Sequence, residues 1–224
     1  MPRLLVLAAI SASGLWAQAA ATANRGYQTE ADRARVAAQL DSADREQRQK
    51  PRELIAALDV KPGMTVADVG TGVGFMIPYF LEAVGPHGKL VAQDIQQDFL
   101  NQVEAKKSEQ GWKNVETVLG GVDDPKLPEG KIDLAFILDA YHHFDFPEKS
   151  LARLRESLAP GGRLVVVDFY RSRPHPTMSQ ERLEGHIRKD RDGFAEEIEQ
   201  AGFTLVSRFD HLPYQYALIF EKAE

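Results

Sequence analysis

From Lys61 onward, short apolar runs alternate with segments of amphipathic helical pattern, and this alternation limits the possible folds more than any other feature. The apolar runs predict strands at Thr65–Val69, Lys89–Gln93, Val115–Leu119, Leu134–Leu138 and Arg163–Phe169. The intervening segments predict helices at Phe75–Val84, Gln97–Gln110 and Pro147–Leu158. Strands and helices that alternate at this spacing form βαβ units, with parallel strands and helices on both faces. The sequence therefore predicts an α/β fold with a doubly wound, mostly parallel sheet.

The end of the chain breaks this rhythm. Thr204–Phe209 and Tyr214–Phe220 are separated by only a few residues that include Pro213, which predicts an antiparallel hairpin. The hairpin would bring the sheet to seven strands. The length of 224 residues suits one such domain, which we expect to occupy residues 59–224.

The segment before the first strand predicts helices of its own. Thr29–Lys50 has apolar residues at partly helical spacing, typical of one or two amphipathic helices. Pro51–Leu58 predicts a further short helix that starts at proline. We expect residues 21–58 to form a helical cap over the pocket.

The first twenty residues have the pattern of a signal peptide. Arg3 precedes the apolar run Leu4–Trp16, and Ala17, Gln18 and Ala19 match the small-x-small cleavage pattern. The run is shorter than the roughly 20 residues of a spanning helix. We expect residues 1–20 to direct export and be removed, leaving a periplasmic or secreted protein without stable membrane insertion. A cytoplasmic protein with an alanine-rich leader is the alternative.

Composition excludes several functional classes. The net charge of -6 provides no broad cationic field for phosphate backbones, so we expect no nucleic-acid partner. The cysteine count of 0 excludes disulfides, thiolate metal sites and cysteine nucleophiles. The chemistry must come from other side chains or from a cofactor.

A glycine-rich loop follows the first predicted strand. Gly70, Gly72 and Gly74 lie between this strand and a helix, where backbone N–H groups can approach a ligand closely. Asp94 ends the second predicted strand, where a carboxylate accepts hydrogen bonds from ribose hydroxyls. This combination predicts a nucleoside-containing cofactor.

The spacing of the glycines bears on which cofactor binds. The dinucleotide fingerprint is GxGxxG, whereas the glycines here are each two positions apart. Asp68, just before the loop, would repel a phosphate and attract an ammonium group. A nucleoside without pyrophosphate is therefore favoured, and a nicotinamide-dependent oxidoreductase remains an alternative.

These motifs resemble the class I S-adenosylmethionine-dependent methyltransferases. The resemblance rests on Asp68–Gly74 with Asp94, on Lys131–Leu134 before the fourth strand, and on Leu158–Leu164 before the fifth. More narrowly, the chain is similar to secreted bacterial small-molecule methyltransferases of the type 11-like group. The resemblance implies a Rossmann-like methyltransferase fold, S-adenosylmethionine as cofactor and a small-molecule acceptor.

The resemblance also implies roles for cofactor-binding residues. Gly70, Gly72 and Gly74 would line the methionine part with Asp68 near its amino group, Asp94 would hold the ribose hydroxyls, and Ile95 would pack on the adenine. Gly121, followed by Val122, stands where the family often has an aspartate for the adenine amino group. Asp123, Asp124 or a backbone carbonyl would then take that role. Asp139 would contact the cofactor amino group or orient its loop.

The candidate catalytic residues are mostly histidines. His142 and His143 follow the fourth predicted strand, and a histidine suits a general base because its ordinary pKa is about 6.5. The resemblance to the secreted group adds His186 and Tyr214 as residues facing the pocket. We expect no metal site, because adjacent histidine side chains should diverge and the HExxH spacing does not occur. A further alternative is an exported binding protein that retains the fold without turnover.

Overall fold

A computed structural model describes residues 20–175, 177–210, 212 and 214–223. The predicted signal peptide, except Ala20, lies outside the described residues. The chain forms one seven-stranded sheet in the order β3-β2-β1-β4-β5-β7-β6. The strands are β1 Thr65–Val69, β2 Lys89–Asp94, β3 Val115–Leu119, β4 Ile132–Leu138, β5 Leu158–Phe169, β6 Phe203–Phe209 and β7 Gln215–Lys222. Strand β7 runs antiparallel to both β5 and β6, and the other pairs are parallel, which confirms the predicted α/β class with an antiparallel C-terminal hairpin.

Helices precede and alternate with the strands. They are α1 Glu30–Leu40, α2 Arg45–Gln49, α3 Pro51–Ala57, α4 Ile77–Val84, α5 Gln97–Gln110, α6 Pro147–Ser157, α7 Gln180–His186 and α8 Arg191–Gln200. Short 3-10 helices occupy Asn24–Tyr27 and Tyr141–His143. Within the described part of the chain, no helix combines the length and apolar character needed to cross a membrane.

Two apolar layers enclose the sheet. Alternate residues of a strand face opposite sides, so Val66 of β1 joins one core cluster and Ala67 joins the other. The same division holds for Val165 and Val166 of β5. Burial on both faces explains why these strands read as continuous apolar runs.

The sequence misplaced several boundaries. Strand β5 begins at Leu158 rather than at the predicted Arg163, so Pro160, Gly161 and Gly162, residues typical of a turn, lie within it. The pairing of β4 with β5 shifts register between Ile132 and Leu134, because Ile132 pairs with Leu158 whereas Leu134 pairs with Arg163. The extra residues of β5 lie at this irregularity. Helix α7 was not predicted, because its sequence is mostly polar.

The carboxyl ends of β1, β2 and β4 meet at one edge of the sheet, as parallel strands require. The glycine-rich loop, Asp94 and the segment after Leu138 therefore lie close together. Ligands of open α/β sheets bind at this edge. The predicted cap, residues 21–58, begins with helical segments whose residues face this edge.

Candidate active site

A pocket of about 270 Å³ lies at the carboxyl edge of the sheet. The sheet contributes Gly70, Gly72, Asp94, Ile95, Gly121, Val122, Asp139 and His143 to its wall. The cap contributes Asn24, Tyr27, Gln28, Leu40 and Arg45. Most predicted cofactor-binding residues are therefore brought to one cavity, and residues of the predicted cap form part of its wall.

The glycine-rich loop has a backbone that only glycine adopts easily. Gly70, Gly72 and Gly74 have φ values of 73°, 57° and 83°. A Cβ on Gly70 would lie 2.6 Å from the Cβ of Ala140. Gly70 and Gly72 line the pocket, whereas Gly74 packs against Ile77 and lies outside the lining found among the described residues.

Asp94 fixes this loop from the end of β2. Its Oδ2 accepts the Gly72 N–H at 2.9 Å, and its Oδ1 accepts the Gln96 N–H at 2.9 Å. Burial raises the pKa of Asp94 to about 6. Each carboxylate oxygen has a second lone pair, so Asp94 can still accept hydrogen bonds from a ligand.

Two apolar side chains remain exposed at the rim of the pocket. Ile95 is 45% exposed and Val122 is 51% exposed. Asp123 instead pairs with Lys149 at 3.2 Å, and Asp124 accepts the Lys126 N–H at 2.8 Å. Among the described residues, the pocket wall includes Gly121 but neither of these aspartates.

Asp68 lies beneath the loop rather than on its surface. It is 2% exposed, and its Oδ2 accepts the Thr71 hydroxyl at 2.7 Å. Burial raises the pKa of Asp68 to about 6, while Thr71 and Arg45 oppose that change. Direct contact between Asp68 and a ligand stays a prediction, because the pocket wall, as far as it is described, contains Thr71 and not Asp68.

Asp139 provides a carboxylate on the pocket wall. It has φ 54° and accepts hydrogen bonds from the side-chain amides of Gln49, at 2.6 Å, and Gln215. Burial raises the pKa of Asp139 to about 6, and the nearby Asp168 raises it further, whereas Arg45 lowers it. The carboxylate is thus held in place by residues from the cap and from β7.

His143 faces the pocket and is oriented by the cap. Its Nδ1 lies 2.8 Å from Oδ1 of Asn24, whose amide also donates to the His143 carbonyl at 3.1 Å. The Tyr27 ring stacks edge-on against the imidazole at 5.1 Å. Burial, followed by the neighbouring His142 and His186, holds the pKa of His143 well below its usual value, so the imidazole is neutral at pH 7.

His142 is buried behind His143. Its Nδ1 lies 2.7 Å from Oδ1 of Asp168, and its backbone N–H donates to Oδ2 of the same carboxylate at 3.1 Å. Its Nε2 lies 3.2 Å from Nε2 of His186. Burial lowers the pKa of His186 to about 3.

The expectation that His142 and His143 diverge is wrong. Both belong to the 3-10 helix Tyr141–His143, and their ring centroids are 4.2 Å apart. The tight turn directs the two rings to the same side, where His186 meets them at 4.9 Å and 5.2 Å between centroids.

A buried ion pair fixes the segment that carries His186. Arg188 binds both carboxylate oxygens of Glu197 at 2.5 and 2.6 Å, and Tyr141 donates to Glu197 at 2.7 Å. The side chains of Arg188 and Glu197 are 2% and 7% exposed. This network joins α8 to the 3-10 helix that holds the two adjacent histidines.

Tyr214 does not join the histidines at the pocket, as far as the described residues show. It lies just before β7, and its carbonyl accepts the Tyr170 N–H at 3.1 Å. It is outside the pocket lining found among the described residues, and its predicted catalytic role stays a prediction.

Four residues of the site region were not predicted from the sequence: Asn24, Tyr27, Gln49 and Asp168. Asn24 and Tyr27 contact His143, and Gln49 contacts Asp139, in each case 90 or more positions away in the sequence. No local sequence pattern reveals such contacts. Asp168 did carry a signal, because a fully buried carboxylate interrupts the apolar run of β5.

Comparisons with known proteins show the family of the chain. A family model described as "Methyltransferase domain" matches residues 60–208. The chain is 30% identical over 119 residues to the ubiquinone/menaquinone biosynthesis C-methyltransferase UbiE of Francisella tularensis subsp. novicida, over 53% of this chain and 48% of that protein. It is 33% identical over 114 residues to nocamycin O-methyltransferase of Saccharothrix syringae, over 50% and 40% of the two chains. The matched part thus spans less than half the length of these curated relatives.

Among solved structures, a SAM dependent methyltransferase from Aquifex aeolicus superposes with a TM-score of 0.76 and 27% identity. The superposition covers 82% of this chain and 95% of that one. Together with the family match over more than half of its residues, this shows that the chain belongs to the methyltransferase-domain family.

Proposed function

We propose that the protein transfers a methyl group from S-adenosylmethionine to a small organic acceptor. The observation that carries the proposal is the pocket itself, in which the glycine-rich loop, Asp94 and Asp139 face one cavity whose wall includes residues of the cap. When bound, S-adenosylmethionine would supply a methyl group on a cationic sulfonium: the acceptor atom bonds to the methyl carbon, the carbon–sulfur bond breaks and S-adenosylhomocysteine leaves as a neutral thioether. The family match supports this activity over the nicotinamide-dependent alternative.

The wall of the pocket fits the parts of this cofactor. Asp94 is placed to accept the ribose hydroxyls, and the exposed Ile95 and Val122 offer apolar surface to the adenine. With Asp123 and Asp124 engaged elsewhere, the backbone near Gly121 is left to bind the adenine amino group. Asp139, rather than the more deeply placed Asp68, is positioned for the amino group of the methionine part.

The acceptor is expected on the side of His143. Tyr27 and Phe144 give that side of the pocket an aromatic lining, which suits a small and partly apolar molecule. The Nδ1 of His143 is engaged by Asn24, which leaves Nε2 for the acceptor. His142 is a positioning residue, because it reaches the pocket only through His143. Carbon and oxygen acceptors are both candidates, given the activities that the names of the two curated relatives state.

Titration calorimetry tests the cofactor. Wild type should bind S-adenosylmethionine and S-adenosylhomocysteine, and Asp94→Asn should weaken both at least about tenfold, the equivalent of 1.4 kcal/mol. Asp59→Asn is the matched control, because Asp59 is exposed and outside the pocket. A folded wild type that binds neither compound would refute the proposal.

Turnover tests the acceptor side. Release of S-adenosylhomocysteine is measured with a panel of small phenols, quinols and carboxylic acids. His143→Ala should lose turnover while it keeps cofactor affinity within about twofold, whereas the exposed His87→Ala should keep both. Equal turnover in wild type and His143→Ala would contradict the placement of the acceptor.

A further inference from the structure

Three histidines converge beside the pocket, and one of them, His143, lines it. One ligand atom from each of His142, His143 and His186 lies within 4.8 Å of the others. They come from two separate parts of the chain, the 3-10 helix after β4 and the end of α7. The Nε2 atoms of His142 and His186 are 3.2 Å apart.

This separation fits two ligands of one metal ion. Zinc binds histidine nitrogen at about 2.0–2.1 Å, so two ligands at a tetrahedral angle lie roughly 3.4 Å apart. The ligand atoms lie within 4.8 Å of one another, so the third histidine needs to move by at most about 1.4 Å to reach a ligand separation of roughly 3.4 Å.

The surroundings orient two of the three rings. Asp168 binds Nδ1 of His142, and Asn24 binds Nδ1 of His143, so both rings present Nε2 to the common centre. Metal-ligating histidines usually donate their second ring N–H to a carboxylate or carbonyl oxygen, which fixes their tautomer and orientation. Asp168 is fully buried, so its carboxylate holds the His142 ring in an environment that excludes water.

We propose that His142, His143 and His186 bind one divalent first-row transition metal ion, for which Zn²⁺ is the best-fitting probe. Imidazole nitrogens suit zinc, copper, iron and nickel, and three histidines leave a fourth position for water or a substrate atom. Because His143 lines the pocket, that position lies at the acceptor side. The ion would then replace the free His143 imidazole as the group that polarises the acceptor.

The competing arrangement is a direct hydrogen bond between two imidazoles. In it, Nε2–H of His186 donates to Nε2 of His142, and the cluster takes up no ion. The two arrangements predict different affinities for Zn²⁺, which can be measured without methyl transfer. Failure of this proposal is therefore distinguishable from failure of the proposed methyl transfer.

The test uses the chain without a histidine tag, stripped with a chelator and titrated calorimetrically with Zn²⁺. Wild type should bind one ion per chain with sub-micromolar affinity. His186→Ala should weaken binding at least about 100-fold, and Asp168→Asn about 10- to 100-fold. The exposed His87→Ala should bind as wild type does.

Substitution with Co²⁺ provides a second readout, because its visible spectrum reports ligand geometry. A spectrum typical of four-coordinate cobalt is expected in wild type and is lost in His186→Ala. Circular dichroism checks that each variant is folded, and His186 suits this test because it is only partly buried, at the end of a helix. A folded wild type that binds no Zn²⁺, or equal binding by His186→Ala, would overturn the proposal.

Discussion

Gln49 donates a 2.6 Å hydrogen bond from its Nε2 to Oδ2 of Asp139, which lies 90 positions further along the chain. The bond joins the end of α2 to the residue that follows β4, so it fastens the cap to the sheet. Gln49 is 2% exposed, and its Oε1 is buried without a hydrogen-bond partner among the described residues. This oxygen keeps a free acceptor position beside Asp139.

Replacement of Gln49 by alanine is expected to weaken binding of S-adenosylmethionine about tenfold. The change frees Asp139 on one side and loosens the attachment of the cap, and a tenfold loss corresponds to about 1.4 kcal/mol. Titration calorimetry measures the effect. Gln39→Ala, an exposed position on α1, is the matched control and should bind as wild type does. Unchanged affinity in Gln49→Ala would show that this bond does not support the pocket.

Gly70→Ala is expected to destabilise the protein by about 3 kcal/mol and to abolish cofactor binding. The new Cβ would approach Ala140 to 2.6 Å, in addition to the cost of a positive φ. Gly130→Ala separates the two effects, because Gly130 has φ 64° with nothing within 4 Å of its added Cβ. It should cost only about 1 kcal/mol. Similar urea midpoints for the two variants would contradict the predicted clash.

Asp68 is expected to make stability depend on pH. Its pKa is raised from 3.8 to about 6 in the folded protein, so the folded state binds a proton that the unfolded state has released between these values. The contribution of Asp68 to the free energy of unfolding is roughly 3 kcal/mol at most. It is complete below pH 4 and is lost as the pH rises through 6. Asp68→Asn should reduce this dependence without abolishing it, because the pKa values of Asp94 and Asp139 are also raised to about 6. Urea unfolding at pH 4, 5, 6 and 7 measures the difference, and an unchanged dependence in Asp68→Asn would contradict the prediction.

Cofactor affinity is expected to change with pH in the opposite sense to the stability contribution of Asp68. A bound sulfonium and ammonium favour the ionised forms of Asp68 and Asp139, so affinity is expected to rise as the pH increases through 6. Titrations at pH 5 and pH 7.5 are compared for wild type and Asp68→Asn. If affinity does not change with pH in wild type, neither carboxylate titrates on binding.

Glu197→Gln is expected to destabilise the protein by about 3–5 kcal/mol. The change leaves the buried Arg188 without its charged partner and weakens the bond from Tyr141. Glu196→Gln, the exposed neighbour on α8, should change stability by less than about 0.5 kcal/mol. A loss below 1 kcal/mol for Glu197→Gln would mean that the network does not hold the histidine-bearing segments together.

Local sequence patterns predicted the sheet well. The bounds of β1, β3 and α5 agree with the prediction, because apolar runs flanked by glycine and polar residues determine where such elements begin and end. The start of β5 was missed because a proline and two glycines, normally turn residues, continue the strand through an irregular register.

The pocket was predictable only on the side that the sheet provides. Asp94 and the glycines occupy positions fixed by the order of strands and helices. The contacts of Asn24 with His143 and of Gln49 with Asp139 depend on where the cap folds back, and separations of 119 and 90 positions leave no local signal. The convergence of His186 on His142 likewise depends on packing by the pair of Arg188 and Glu197.

The placement of Asn24 bears on how the protein is prepared. Its side chain binds His143 and Asp145, so the beginning of the described chain belongs to the reaction pocket. A truncation that begins at Thr29 would keep the sheet and all predicted catalytic residues, and its far-ultraviolet spectrum would look normal. Its inactivity would then reflect a missing wall of the pocket, so tags and fusions are better placed at the C-terminal end.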